Sequence, residues 1–508
     1  MPRVLPILCV ALALLLPPRT ASANGWEHSA IPLHALIAAL YNESAEIRVK
    51  AAESLGYRGQ SAAVAPLIAR LLEPEPSPWV RSAAYIALGR LGDARALSPL
   101  RACLEAEDRE ELRADCALAL GLLSLDEGLP SVIGALLVDD AAAVRVRAVD
   151  ALGRFEAAPA TEALLAVLDG SDDALRARAI RALGLSGAKR AATALLAVLE
   201  APRSGDERRL AVAALARTAA PDSREALLAA ADDPNPELRT YAALGLAAID
   251  RKGSLPALAG LLRDGDGRVR AAAVSGLRRL GDIEGVPALR GYAARITSAL
   301  AKRSDEQLLE NAALVALELS ILEEALWALV EISPPGALGV FLAAAERRTL
   351  PKTSGVALEL ADGLYQVRRV ALRGLGYIDD PRALALVSGD QGLGDPDPRI
   401  RVVAVRALGV MESVRSAELV LPLLADEAPD VRAMAALVLG RLGDPRAVAP
   451  LTRSLEDSTV RVRREAVLAL GYLGDKRAAA SVEKLTGDDE DPVIRDAARY
   501  ALELLSGG

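Results

Sequence analysis

The chain is poor in the residues on which most catalytic chemistry and most base stacking depend. Its 508 residues include two histidines (His28 and His34), three cysteines and only 3% aromatics. Two histidines near one end supply neither a His-Glu metal array nor a Ser-His-Asp set, and no Walker loop or dinucleotide-type glycine fingerprint occurs. No catalytic residues, no metal and no cofactor are therefore expected. So few rings make no platform for stacking bases. The net charge of −8 argues against nucleic acid held through a broad positive surface. A core without bulky rings must consist of many small contacts between helices, and the abundant Ala and Leu are good helix formers.

Long apolar runs are also missing, with one short exception. Val4 to Leu16 is an apolar stretch of 13 residues, preceded by Arg3 and followed by Ala21-Ser22-Ala23. A bilayer span needs about 20 residues, so residues 1–23 read as a cleaved signal peptide, against an uncleaved anchor or a short buried helix. Cys9 lies inside the run and not after a lipobox-like sequence. Removal takes away two arginines and no acid, moving the charge from −8 to −10. The mature chain is expected to be exported, periplasmic or extracellular, with no membrane span.

What the chain does have is one phrase said repeatedly: VRSAAYIALGRLGDARA from Val80, VRRVALRGLGYIDDPRA from Val367, VRAMAALVLGRLGDPRA from Val431 and VRREAVLALGYLGDKRA from Val462. Its arginine recurs at Arg48, Arg81, Arg113, Arg145, Arg176, Arg208, Arg239 and Arg270, then at Arg368, Arg401, Arg432, Arg463 and Arg495, with spacings of 31 to 33 within each run. Such a period marks a solenoid, in which each unit buries its apolar face against its neighbours. Around Arg81, Val64, Leu67, Ile68 and Leu71 have the i, i+3, i+4, i+7 pattern of one helix. The break EPEPSP follows, and Val80, Ala84, Ala87, Leu88 and Leu91 share a face of the second helix. A small Ala84 lets the two helices approach closely, and Gly92 and Asp93 close the second one.

Spacing, proline break, Val-Arg and Leu-Gly-Asp together resemble the HEAT repeat, in the short bacterial type seen also in phycobilisome-lyase-like proteins. The resemblance covers nearly all of the mature chain. It implies an all-α, right-handed α-solenoid of about 14 stacked helical hairpins. It also implies a role for the acid that stands six residues before most marker arginines. In proteins this sequence resembles, such Asp and Arg residues pair within and between repeats, so Asp139, Asp264, Asp426 and Asp457 with Arg81, Arg145, Arg270, Arg432 and Arg463 form a structural ladder.

The pattern divides the chain into a regular array (24–283), an irregular region (284–366) and a second array (367–508). Between Arg270 and Arg368 lie 98 residues without the phrase, read as two enlarged repeats or three degenerate ones. Within them RRTLPKTSGVALELADG looks like an extended loop. A second insertion, SGDQGLGDPDP, precedes Ile400.

Cys103 and Cys116 stand in the first and second helix of one unit, and either form a disulfide or are two separate small apolar residues. Positions two and six after the apolar residue that precedes each marker arginine lie about 200° and 240° round the second helix and point away from the core, on the side that lines the concave surface of stacked HEAT units. They include Arg181, Arg209, Arg369, Arg373, Arg406 and Arg464, against Glu53, Asp150 and Asp496. Tyr57, Tyr377 and Tyr472 occupy Leu-Gly-Tyr positions, where packing on the next unit accounts for them. The functional reading is a monomeric, non-catalytic scaffold whose concave face binds a protein partner through an acidic segment. The alternative is an accessory subunit of an enzyme complex, lyase- or hydroxylase-like by family analogy. The paired His-Glu motifs of HEAT-type hydroxylases are absent from this sequence, and the lyase resemblance brings no catalytic residue with it.

Overall fold

In the computed structural model, residues 31–249, 251–346, 355–411, 415–488 and 491–506 are described; the expected signal peptide, residues 1–23, lies outside them. Every regular element is helical, and no strand occurs among the described residues. Among the described residues fourteen hairpins follow one another, each a first helix and a second helix, so the fold is an all-α solenoid. The described residues fall into two compact units, one ending at Ala257 and one beginning at Leu258. That boundary lies in the first helix of the eighth hairpin, Arg251–Leu261, within the stretch that the repeat pattern marks as one regular array.

The second hairpin shows why these residues fold this way. A 3-10 turn at Ser61–Ala63 leads into the first helix, Val64–Leu72. The second helix, Pro78–Leu91, begins on a proline, whose missing N–H would have had no helical partner there. Val80, Ala84, Ala87 and Leu88 are buried on its inner face. Full burial of a side chain such as Leu88 contributes about 1.5–3 kcal/mol. Gly92 ends the helix at φ 67°, a left-handed conformation that glycine adopts without Cβ strain. Asp93, expected to share that task, does something else. Its Oδ1 accepts the Arg95 N–H at 3.0 Å and opens the next turn, Ala94–Ala96.

Within each unit, second helices pack on second helices, and each first helix packs on its own partner. The tightest contact is the glycine eight residues after the marker against the small residue six after the next marker. A Cβ on Gly89 would lie 2.8 Å from the Ala119 Cα, and one on Gly440 would lie 2.6 Å from the Ala469 Cα. The glycine of Leu-Gly thus sets the distance between repeats. Ala84 is buried as expected, but this contact is the closer constraint.

The irregular region holds two enlarged hairpins among the described residues. The first consists of Val286–Lys302, a short helix at Asp305–Glu310, and Ala312–Ile332. The second pairs Leu338–Ala345 with Gly355–Leu375. Residues 355–363, expected as part of an extended loop, are instead the opening turns of that 21-residue helix. Ala357, Leu360, Leu364, Val367 and Ala371 continue one apolar stripe at helical spacing, which overrides the two punctuating glycines, Gly355 and Gly363. Residues 347–354 lie outside the described set.

Candidate functional site

The marker arginines are stapled in two directions. Arg432 Nη1 donates to the carbonyls of Asp426 and Glu427 at 2.9 and 3.2 Å, in the turn of its own hairpin. Its Nε and Nη2 donate to the Asp457 carboxylate of the following hairpin at 2.7 and 3.0 Å. Asp457 Oδ1 also accepts the Thr459 N–H at 2.9 Å, at the start of the second helix. The same arrangement joins Arg113 to Asp139 and Arg401 to Asp426, and the forward carboxylate contact recurs from Arg368 to Asp395 and from Arg81 to Glu107. Pairing within a repeat therefore runs through the backbone carbonyl of the acid, while its carboxylate belongs to the preceding hairpin's arginine.

The ladder is uneven. Arg145 holds the carbonyls of Asp139 and Asp140 at 2.8 and 2.9 Å, but Gly170 stands where the next acid would be. Arg176 takes Glu207 at 2.8 Å, a residue that periodicity alone does not point to, because Pro202 occupies the usual place. Arg270 Nη1 donates to the carbonyls of Asp264 and Gly265 at 2.8 and 3.0 Å, and Asp264 Oδ1 accepts the Asp266 N–H. Arg463 Nη1 reaches the Asp457 carbonyl at 2.9 Å. The hydrogen bond from Arg113 holds the Asp139 carboxyl below its ordinary range. Burial pushes Asp457 up, but the Arg432 guanidinium and the Thr459 N–H outweigh it and leave that carboxyl low as well.

Cys103 and Cys116 are joined, with sulfurs 2.04 Å apart and Cα atoms 6.2 Å apart. The bond links helix Leu97–Ala106 to helix Glu110–Leu123 of the third hairpin.

The six arginines expected on the outward side of the second helices have different fates. Arg209 is held by Glu237 at 3.1 Å and Asp206 at 3.6 Å. Arg464 is paired with its neighbour Glu465 at 2.6 Å. Arg181 is exposed on helix Asp173–Ser186. Carboxylates of the same chain thus neutralise Arg209 and Arg464. Arg369, Arg373 and Arg406 behave differently and come together in one place.

That place is a cleft of about 150 Å³ in the second unit, built by three successive second helices: Ala312–Ile332, Gly355–Leu375 and Pro398–Met411. Trp327 from the first of them meets two guanidiniums of the next, Arg373 at 4.9 Å and Arg369 at 5.9 Å from the ring centroid. Arg369 also reaches Glu323 at 3.3 Å. Arg406 enters from the third helix, and Tyr377, Val403 and Val410 provide apolar walls. Tyr377 and Val410 are 46% and 40% exposed, so Tyr377 is not absorbed by packing on the next unit. Tyr57 and Tyr472 are exposed too, Tyr57 beneath the Arg90 guanidinium at 4.2 Å.

Trp327 was not legible as a site residue, because its segment EEALWALVEIS lacks the marker that sets the register. A cation over an exposed ring is worth about 0.5–1 kcal/mol, enough to orient the guanidinium. Among the described residues no group of His, Cys, Asp and Glu is arranged to hold a metal ion. None of the described helices is long and apolar enough to cross a membrane.

Comparison with known proteins agrees with this repeat. HEAT repeats are matched over residues 33–121, 129–216, 224–318, 353–428 and 417–503. No curated protein sequence matches the chain. Similar solved structures include Kap95p bound to RanGDP, at 13% identity and a TM-score of 0.47, covering 94% of this chain and 80% of that one. Yeast importin-beta alone gives 13% identity and a TM-score of 0.42, covering 93% and 84%. The complex of CpcE and CpcF of phycocyanin lyase from Nostoc sp. PCC7120 gives 24% identity and a TM-score of 0.30, covering 54% and 97%. With the family matched over most of its length and the hairpin, its glycine contact and its arginine staple recurring along it, the chain belongs to the HEAT-repeat family.

Proposed function

We propose that this chain is an exported, non-catalytic scaffold that works as a monomer and binds a protein partner through the outward face of its second helices. One observation carries the reading. On a face that stacking does not use, Trp327 and three arginines from successive repeats converge, and Arg373 and Arg406 are exposed without a carboxylate partner among the described residues. Stacked hairpins can present such a surface rigidly, because each second helix is held between its neighbours. Export follows from the character of residues 1–23.

The test is affinity capture from the envelope fraction with the wild-type chain, a variant carrying Arg369→Glu, Arg373→Glu and Arg406→Glu, and an Arg181→Glu control. A partner retained by wild type and control but lost by the triple variant supports the reading. Equal capture by all three removes this face from consideration. A mature N-terminus that still includes residues 1–23 ends the export part.

A further inference from the structure

We infer that the Trp327 cleft selects an acidic peptide segment carrying a large apolar side chain among its carboxylates, and that it is not a general anion site. The inference rests on the protein-binding reading above and narrows it to a class of sequence.

Charge supplies the first half. Several half-buried arginines of second helices are already answered within the chain: Arg178 by Asp150 at 2.9 Å, Arg209 by Glu237 at 3.1 Å and Arg464 by Glu465 at 2.6 Å. Arg373 and Arg406 have no such partner among the described residues and face the same cleft. With its guanidinium over the Trp327 indole, Arg373 has lost some rotamer freedom before any ligand arrives. Its donor edge can take a carboxylate in a two-point contact at reduced entropic cost.

Shape supplies the second half. Tyr377 and Val410 come from equivalent positions in consecutive repeats, nine residues after Arg368 and Arg401, and leave exposed apolar surface beside the cations. With Val403 and the indole they enclose about 150 Å³, room for a side chain and far more than a single water needs. An apolar recess beside unpaired arginines and a tryptophan has the makeup of a binding hot spot.

The surroundings disfavour a polyanion. Glu323 sits on the helix that carries Trp327 and lies 3.3 Å from Arg369. A ligand with uniform negative charge would meet this carboxylate as well as the arginines. A peptide with two or three spaced carboxylates can avoid it.

The experiment measures anisotropy of labelled synthetic peptides added to the full mature chain. One peptide is Asp-Glu-Leu-Phe-Glu-Asp, the second replaces Leu-Phe by Ala-Ala, and polyphosphate is the competitor. The apolar peptide should bind about tenfold or more tighter than the alanine peptide. Its affinity should fall with salt, and Arg373→Gln with Arg406→Gln should weaken it by about tenfold at unchanged thermal stability. Val410→Glu, on an exposed position, should weaken it comparably. Equal binding of the two peptides, displacement by polyphosphate at matched charge, indifference to the variants, or no binding of either peptide would each overturn the inference. If the double variant still captures a partner from the envelope fraction, the cleft falls while the scaffold reading stands. If capture also fails with the wild-type chain, both fall.

Discussion

The Leu-Gly glycine gives the most demanding test of how the repeats stack. Replacing Gly440 by Ala puts a Cβ in the last turn of helix Pro429–Leu442, where alanine is favoured over glycine by up to about 1 kcal/mol. On propensity alone the change should stabilise. In place, however, the new Cβ lies 2.6 Å from the Cα and 2.8 Å from the Cβ of Ala469, against a comfortable carbon separation of about 3.5–4.0 Å. The obstacle is backbone, so no rotamer change relieves it, and helix Val460–Leu473 must move away by about 1 Å. Overpacking of this kind costs about 1–3 kcal/mol, and the additional loss of contacts along the two helices puts the net effect at the destabilising end. The first unit contains the reversed arrangement, Ala216 against Gly245, so an interface of this type accepts one Cβ from either side. Gly440→Ala with Ala469→Gly should therefore recover part of the loss, with a coupling of about 1 kcal/mol or more. Gly443→Ala, at φ 70° with nothing within 4 Å, is the control, costing only backbone strain of about 1–2 kcal/mol. Long repeat arrays depart from two-state unfolding, so the readout is hydrogen exchange of peptides covering residues 429–442 and 460–473 under mild urea. A neutral or stabilising Gly440→Ala, or strict additivity of the pair, would refute the close-contact account.

The remaining predictions concern the staple, acid, the disulfide and a buried hydroxyl. Arg401 and Asp426 have side chains only 8% exposed each, so Arg401→Met, which strands Asp426, should cost about 3 kcal/mol locally, and adding Asp426→Asn should restore part of it; a single-variant effect below about 0.5 kcal/mol would exclude the staple as a stabilising contact. Because Asp139 and Asp457 titrate lower in the native state than in the unfolded chain, their contribution is complete above the ordinary carboxylate range and disappears as pH falls through the native values; Arg113→Gln should flatten the acid limb of a melting profile below about pH 4, and an unchanged limb would count against the linkage. The Cys103–Cys116 bond closes a short loop, so its reduction should weaken the third hairpin by about 2–3 kcal/mol, whereas two alkylatable thiols in unreduced mature chain would show that it does not form. Ser416 is fully buried and its hydroxyl has no hydrogen-bond partner among the described residues, while Ala447 fills the corresponding place one hairpin on; Ser416→Ala should raise local stability by about 1 kcal/mol, and a loss of stability would reveal a further partner for the hydroxyl.

Much of the fold could be read before any coordinates, because a solenoid writes its rules into every period. About fourteen hairpins, the helix-ending Gly92 and the proline-rich break between the two helices all follow from spacing and turn chemistry. Other features could not be read, each for a physical reason. Residues 355–363 carry both helical periodicity and glycine punctuation, and only the continuous apolar stripe decides between them. Asp93 sits between two helices, and a carboxylate there can serve either end until its acceptor geometry is known. The six outward arginines look alike as letters. Whether Glu237 or Glu465 answers one of them depends on lateral distances between helices that a period does not encode.

The coincidence of the cleft with the broken period has a physical cause. In a regular repeat the eighth residue after the marker must be small, and the arginine before it is committed to the next carboxylate, which leaves few side chains available for anything but stacking. Where the next hairpin is enlarged, the demand lapses. Arg278 stands at the glycine position of its repeat and extends to Glu324 at 2.7 Å and Glu331 at 2.6 Å on the long helix Ala312–Ile332. That helix, without a marker arginine of its own, carries Trp327 on its other flank towards Arg369 and Arg373. The acids Glu324 and Glu331 are consumed on the side of Arg278, so fewer carboxylates remain to neutralise the arginines on the side of Trp327. Relaxing the stacking rule in one hairpin thus both admits a large aromatic ring and leaves cations unanswered beside it. A site of this kind belongs at an irregularity, since a perfect array spends the same side chains on holding its neighbours.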